Sequence, residues 1–298
     1  VVEKLKNPGI VAHGIALKPG KPVCLAVEAG KAVVVLPGFP TSAIFTFHEF
    51  VAPVIRKLGG GDAAADLRAS RSVVNAKMAL KVISEIGRTE YMLVGLVPGT
   101  ETETNTHLVA YPMGKGSGSV TAFGRADGFI TIGRHEEFLE ADTPVRVQLL
   151  GTELQLADLV VIGSHCVGLD YLLSRLQEQG FRTKCMAVGS TGGLDAVRKG
   201  ECDLAGIHLL CEKTDQYNRP LLEPDMELIS GYHRQQGLVY RRGDARFQGC
   251  SADDAIASAT RDKDCRMVGR NQGSGTRILL DKVLAGARPP GYEVQPKS

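Results

Sequence analysis

From Leu156 onward the chain repeats one pattern: a short apolar run, a loop rich in glycine, serine and threonine, then a stretch of helical spacing. The runs at 159–162, 185–188 and 204–207 are too short for helices. The stretches at 169–176, 194–198 and 278–284 carry apolar residues at helical intervals. Gly180 and Gly200 stop the first two helices. Parallel strands need a long crossover, and a helix fills it. This alternation therefore constrains residues 156–298 to an α/β domain with a mostly parallel sheet. Residues 237–241 and 267–268 read as further strands.

Three strand-to-helix junctions in this region share a chemistry. Gly163-Ser164-His165 and Gly189-Ser190-Thr191-Gly192-Gly193 form a weak internal repeat, and Gly273-Ser274-Gly275-Thr276-Arg277 occupies the third junction. A helix start presents unpaired N–H groups and partial positive charge, while glycine lets a ligand approach the backbone. Ser164, His165, Ser190, Thr191, Gly193, Ser274, Thr276 and Arg277 are thus candidates to bind one oxyanion. Serine and threonine are also ordinary helix caps, so any single junction has a purely structural explanation. Three junctions together, with an arginine, favour the anion site.

Upstream the pattern differs. Residues 67–150 carry short β-prone runs at 91–97, 107–110, 128–132 and 145–150, separated by glycines, which predicts a small all-β, barrel-like module. Residues 1–61 combine a short buried strand at 33–36, the turn Pro37-Gly38-Phe39-Pro40, and a helix that Thr41 or Ser42 can cap and Pro53 should kink. Lys18 and Lys21 flank a tight Pro-Gly turn, so both ammonium groups can reach one phosphate-bearing ligand. The alternative is two structural turns with solvated lysines.

Composition narrows the function classes. With 35 basic and 33 acidic side chains the net charge is +2, which gives no support to a nucleic-acid or membrane-surface binder. Trp is absent, which argues against base-stacking platforms. Seven cysteines, an odd number without CxxC spacing, read as reduced thiols rather than a disulfide framework or zinc site. Apolar runs are too short to span a bilayer. The start at Val1, in mid-pattern and without an initiator Met, gives the expectation of a fragment of a longer cytoplasmic protein.

Gly14-Ile15-Ala16-Leu17-Lys18-Pro19-Gly20-Lys21-Pro22, followed by Leu36-Pro37-Gly38-Phe39-Pro40-Thr41-Ser42-Ala43, resembles the gephyrin-type molybdopterin molybdotransferases. Gly87-Arg88, Pro112, Gly116-Ser117-Gly118 and Arg125-Ala126-Asp127-Gly128 match the C-terminal domain of that family. The junctions of the last region, with Gly200-Glu201-Cys202-Asp203-Leu204-Ala205-Gly206, resemble domains of periplasmic-binding-protein (PBP) type, related to molybdate binders and LysR-type effector domains. The resemblance implies a multidomain α/β chain. Residues 1–61 would be the end of a molybdopterin-binding α/β domain, 67–150 a barrel-like C-terminal domain, and 156–298 a PBP-like domain with a shortened second lobe.

The implied activity is insertion of molybdate into adenylylated molybdopterin, with release of AMP. Lys18, Lys21, Pro37, Gly38, Pro40, Ser42 and Ser117 would contact the molybdopterin, Mg²⁺ would assist, and the protein would be a homodimer. The resemblance places the acidic catalytic residues upstream of Val1 and leaves no metal ligand within the chain. Phe39 stands where the family usually has Asn. That departure supports a second reading: a non-catalytic sensor of molybdate, tungstate or a pterin on a dimerisation scaffold.

Overall fold

The computed structural model describes residues 4–60, 72–102, 105–114, 120–211, 213–229, 231–233, 236–270, 275–289 and 291–294. Two compact units divide it: residues 1–158 with 199–201, and residues 159–198 with 202–298.

The first unit opens with strands β1 (Gly9–His13), β2 (Leu17–Lys18), β3 (Cys24–Glu28) and β4 (Lys31–Val35). β1, β3 and β4 form an antiparallel sheet in that order. The β3–β4 connection is the two residues Ala29 and Gly30, both with positive φ, the conformation that matches a tight hairpin to strand twist. Helix α1 (Pro40–Thr46) follows, then a π-helical turn (Phe47–Val51) and helix α2 (Ala52–Leu58). The wide turn sits immediately before Pro53, whose missing N–H and bulky ring disrupt regular i→i−4 bonding there. The expected kink is therefore a π turn. Phe39, not Thr41 or Ser42, occupies the cap position; Pro40 begins the helix, where its lost donor costs nothing.

The rest of this unit is β5 (Val73–Met78), β6 (Val82–Ile83), β7 (Thr89–Thr102), β8 (Asn105–Pro112), helix α3 (Val120–Arg125), β9 (Gly128–Ile132), β10 (Phe138–Leu139) and β11 (Pro144–Leu149). The order β7-β8-β5-β11-β9 closes when β9 pairs back onto β7, giving a small five-stranded barrel. Period-two alternation drives the closure. Met92, Val94 and Leu96 of β7 point inward with Met78, Ala110, Ile130, Ile132 and Val147. The intervening Leu93 faces outward and packs with Phe129 and Phe45. Helix α3 interrupts the all-β expectation; Ala122 and Phe123 pack against this outer cluster, so its apolar face has a reason to be helical.

The second unit holds β12 (Leu159–Gly163), helix α4 (Val167–Glu178), β13 (Thr183–Ala187), helix α5 (Gly189–Arg198), β14 (Leu210–Cys211) and β15 (Gln216–Tyr217). A short 3₁₀ turn (Arg219–Leu221), helix α6 (Ala252–Arg261), β16 (Arg266–Gly269), helix α7 (Gly275–Leu284) and β17 (Gly291–Val294) complete it. β12 pairs in parallel with β13, and Leu204 adds a parallel bridge at Val161. β16 and β17 are a separate parallel pair, while β14 and β15 are antiparallel. The alternation of strand and helix is thus present, but the described pairings are small separate sheets rather than one. Residues 237–241, expected as a strand, form no regular element.

Glycine sets the closest approach in this unit. A Cβ on Gly193 would stand 2.6 Å from the Gly163 Cα and 2.7 Å from the Ile162 carbonyl oxygen. Gly163 has φ +150°, and its own Cβ would meet the Gly206 carbonyl at 2.6 Å. Helix α5 and the 206 loop therefore lie on β12 at backbone contact, which only residues without a Cβ permit. Among the described residues no helix is long and apolar enough to cross a membrane.

Candidate functional site

The first unit contains a cavity of about 310 Å³ bordered by four segments distant in sequence, the fourth being Met113 and Gly114 just after β8. The turn after β2 contributes Lys18, Pro19, Gly20, Lys21 and Pro22. The start of α1 contributes Phe39, Thr41 and Ser42. β7 and the residues before it contribute Arg88, Glu90 and Tyr91.

Two sets of forces hold these segments together. β2 adds to the barrel sheet as a parallel neighbour of β7, with Leu17 opposite Thr89 and Lys18 opposite Glu90. Helix α1 is anchored through Phe45, whose ring lies 5.0 Å from Phe129 at 77° and 5.3 Å from Tyr91. Gly20 completes the arrangement. Its φ is +132°, and a Cβ there would meet the Thr46 methyl at 2.7 Å, so the turn packs directly on α1. Thr46 is fully buried and donates its hydroxyl to the Ser42 carbonyl at 2.7 Å.

The electrostatics of the cavity are mixed. The Lys18 ammonium donates to Glu90 at 3.4 Å and lies 4.0 Å from Glu85. Glu90 is buried and also accepts from the Ser84 hydroxyl at 2.8 Å. Arg88 sits 3.4 Å from Glu85. Lys21 is exposed and makes no ion pair among the described residues. Lys18, Lys21 and Arg88 against Glu85 and Glu90 leave one positive charge in excess. Thr41 is 3% exposed, and its hydroxyl oxygen is buried without a hydrogen-bond partner. A buried hydroxyl left unpaired costs about 1–3 kcal/mol, so a polar ligand atom reaching it would recover that deficit. The arrangement can hold a small anion: Lys21 offers free charge, Lys18 a fixed one, and Thr41 a vacant polar contact.

Of the candidates named from sequence, Lys18, Lys21 and Ser42 line this cavity together. Pro37, Gly38 and Pro40 shape the turn that delivers Phe39 and Thr41, and Pro37 is buried. Ser117 lies outside the described residues. The Asp127 carboxylate accepts from the Leu96 N–H at 2.6 Å and thereby ties the barrel. Glu90 and Thr41 were not foreseen as cavity residues. A lone acid on a strand carries no sequence signal, and a threonine in a helix start reads as a cap.

The second unit distributes its candidates differently. Ser190 is buried; its hydroxyl bonds the His208 ring at 3.0 Å and accepts from the His208 N–H at 3.1 Å. His165 is held by Asp170 at 2.8 Å. Ser164 donates its N–H to the Gly206 carbonyl at 2.7 Å. Thr191 is exposed, and Gly193 is the close-packing glycine of α5 on β12. Arg277 donates to Asp281 at 2.6 Å and to the Arg270 carbonyl at 3.0 Å. Thr276 lines a different cavity, of about 700 Å³. Ser274 lies outside the described residues.

Comparison with known proteins gives three family matches in chain order. Residues 1–57 match the "Probable molybdopterin binding domain", 75–150 the "MoeA C-terminal region (domain IV)", and 173–297 the "PBP superfamily domain". An uncharacterised protein of Bacillus subtilis is 29% identical over 132 residues, 42% of this chain and 41% of that protein. The molybdenum cofactor synthesis protein cinnamon of Drosophila melanogaster is 37% identical over 83 residues, 28% of this chain and 13% of its own length. A solved molybdopterin biosynthesis MoeA protein of Pyrococcus horikoshii is 34% identical with a TM-score of 0.36, over 47% of this chain and 32% of that one. The chain spans less than half the length of these relatives. In order along the sequence, it joins a molybdopterin-binding-type segment and a MoeA-type C-terminal region to a PBP-superfamily domain.

Proposed function

We propose that the protein acts in molybdenum cofactor biosynthesis, and that the first unit binds adenylylated molybdopterin in the cavity beside α1. Lys21 meets the phosphate or pyrophosphate, Lys18 fixes the opposite side of that contact through its hold on Glu90, and the Thr41 and Ser42 hydroxyls face the ligand. Molybdate would then exchange onto the dithiolene with release of AMP, the molybdotransferase step. The observation that carries this reading is the meeting of both lysines and the unpaired Thr41 hydroxyl on one cavity. The matches to molybdopterin-binding and MoeA-type models support it. A homodimer in the cytoplasm, and an oxyanion- or pterin-binding role for the second unit, belong to the same reading. Mg²⁺, which the family resemblance implies, belongs to the same reading; among the described residues no group of three or more His, Cys, Asp or Glu side chains gathers to hold a metal ion.

A second reading is a molybdate, tungstate or pterin sensor without catalysis. Phe39 favours it, because an apolar ring that is 60% exposed lines the cavity where an amide would offer polar contacts. Anaerobic calorimetry with molybdopterin tests the shared binding claim. Wild type should bind, and Lys21→Ala should bind about tenfold more weakly with an unchanged unfolding midpoint, the loss expected for one charge-assisted contact. Equal affinities, or no binding by the wild type, would overturn it. AMP release on adding molybdate to the adenylylated ligand then separates enzyme from sensor.

A further inference from the structure

The cavity of about 700 Å³ in the second unit lies among α6, β16, α7 and residues 237–247, away from the junctions at Ser164 and Ser190 but reaching the third junction through Thr276. We infer that it binds an amphipathic organic anion, an apolar ring or branched body carrying a carboxylate or phosphate, rather than a bare tetrahedral oxyanion. The inference stands independently of the molybdopterin reading of the first unit, and it narrows the second unit's role from oxyanion or pterin to an organic anion.

Size and lining come first. A tetrahedral oxyanion fills the space of a few waters, each about 30 Å³ in the liquid. The remaining volume would then be water against apolar walls. Cavities of several hundred Å³ with apolar linings and a few polar groups suit organic ligands. Here the floor is made of buried Ala259 and Cys265, while Leu238, Val239 and Val268 at the rim are 40%, 99% and 66% exposed. Clustered exposed aliphatic side chains mark a surface that gains by being covered.

Charge supplies the other half. Arg241, Arg246, Arg266 and Arg270 line the cavity against one acid, Asp244. Arg246 is engaged: it grips Asp244 through two donors, at 2.9 and 2.7 Å, and Asp262 at 2.6 Å, which fixes the loop wall to the end of α6. Arg241, Arg266 and Arg270 make no ion pair among the described residues. The Arg270 Nε is buried with no hydrogen-bond partner. A buried guanidinium N–H without an acceptor is a standing deficit that an anionic headgroup removes. Meanwhile Ser190, His165 and Arg277, the residues the sequence pattern would gather on an oxyanion, are hydrogen-bonded inside their own unit. The unmet positive charge is on the wall of the larger cavity.

Fluorescence titration of the whole chain with 8-anilinonaphthalene-1-sulfonate tests this, with four competitors: 2-naphthoate, 2-naphthyl phosphate, 2-naphthylmethanol and sodium molybdate. Saturable binding of the dye is expected, displaced by the carboxylate or the phosphate. The neutral alcohol should be at least about tenfold weaker, and millimolar molybdate should not displace. Whichever of the first two competes better names the headgroup. Arg270→Gln should weaken the anions about tenfold and leave the alcohol unchanged, the loss of one charged hydrogen bond. Val239→Asp, at a fully exposed position that folding does not need, should weaken dye and anions alike. Displacement by molybdate, equal competition by alcohol and anion, absence of dye binding, or insensitivity to Val239→Asp would each overturn the inference.

Discussion

Removing the Lys18 side chain should destabilise the first unit by stranding the buried Glu90 carboxylate. Glu90 is 5% exposed at its side chain and is matched by Lys18 at 3.4 Å and by the Ser84 hydroxyl. Lys18→Ala leaves that carboxylate with one neutral donor. At an effective dielectric of about 20, the lost attraction is about 5 kcal/mol before desolvation. Deleting one partner of a fully buried pair costs about 3–5 kcal/mol, whereas exposed pairs contribute about 0–1 kcal/mol. Lys18 is 36% exposed, so the pair is half solvated and a net cost of about 1–2 kcal/mol is expected. For a unit of this size that lowers the melting temperature by about 2–8 °C. Urea unfolding of wild type, Lys18→Ala, Glu90→Gln and the double variant gives the coupling directly. Glu90→Gln in the Lys18→Ala background should restore most of the loss, since an amide can still bond Ser84 without a buried charge. A coupling near zero, or a double variant no more stable than Lys18→Ala, would refute the reasoning. It would also mean that any ligand-binding defect of Lys18→Ala could be read without correction for folding.

Gly193→Ala should cost about 2–3 kcal/mol in chemical denaturation, because its Cβ would strike backbone of β12, while Gly192→Ala, whose Cβ would stand 2.9 Å from the Val188 Cγ2 and 3.2 Å from its Cβ, should cost less, about 1 kcal/mol, since only a side chain must give. Arg246 holds the carboxyls of Asp244 and Asp262 below the ordinary carboxylate value of 3.8. Both groups therefore stay ionised in the folded protein to lower pH than in the unfolded chain. Their contribution is complete above about pH 4 and is lost as pH falls through the depressed values. Hydrogen exchange at residues 237–250 should be flat from pH 5 to 8 after correction for intrinsic rates, should accelerate below pH 4, and should be fast at all pH in Arg246→Met; a change centred near neutrality would contradict this. The Cys211 thiol is held below its usual range, chiefly by its hydrogen bond with the Thr214 side chain. Iodoacetamide at pH 7.5 should therefore modify Cys211 faster than exposed Cys250, with Thr214→Ala removing the difference; equal rates would refute it.

What could be read from the sequence follows the range of the interactions. The barrel strands announced themselves because inward and outward residues alternate locally, as Met92, Leu93 and Val94 do. The turn after β2 and the turn before α1 were each visible as rigid proline–glycine segments. Their meeting on one cavity depends on Phe45 packing and on Gly20 touching Thr46, contacts that no local pattern encodes. The Lys18–Glu90 pair spans 72 residues and exists because β2 joins β7 in parallel. In the second unit, the junctions Gly163-Ser164 and Gly189-Ser190 looked alike in sequence. In space Gly163 lies at backbone contact with helix α5 and the 206 loop, Gly189 has open space beside it and supplies only a positive φ, and the Ser190 hydroxyl serves His208. Residues 237–241 have the apolar character of a strand but line a cavity instead, a choice made by tertiary surroundings rather than β propensity.

The attachment of β2 to β7 has a consequence for how such chains can be recombined. Two rungs, Leu17 with Thr89 and Lys18 with Glu90, stitch the first matched segment onto the second. A chimera that exchanges either segment at the 58–72 boundary keeps both halves intact in sequence, yet exposes an unpaired margin of β7 and dissolves one wall of the pocket. Swaps that carry residues 14–22 together with the barrel preserve both, so the practical unit of inheritance is the stitched pair.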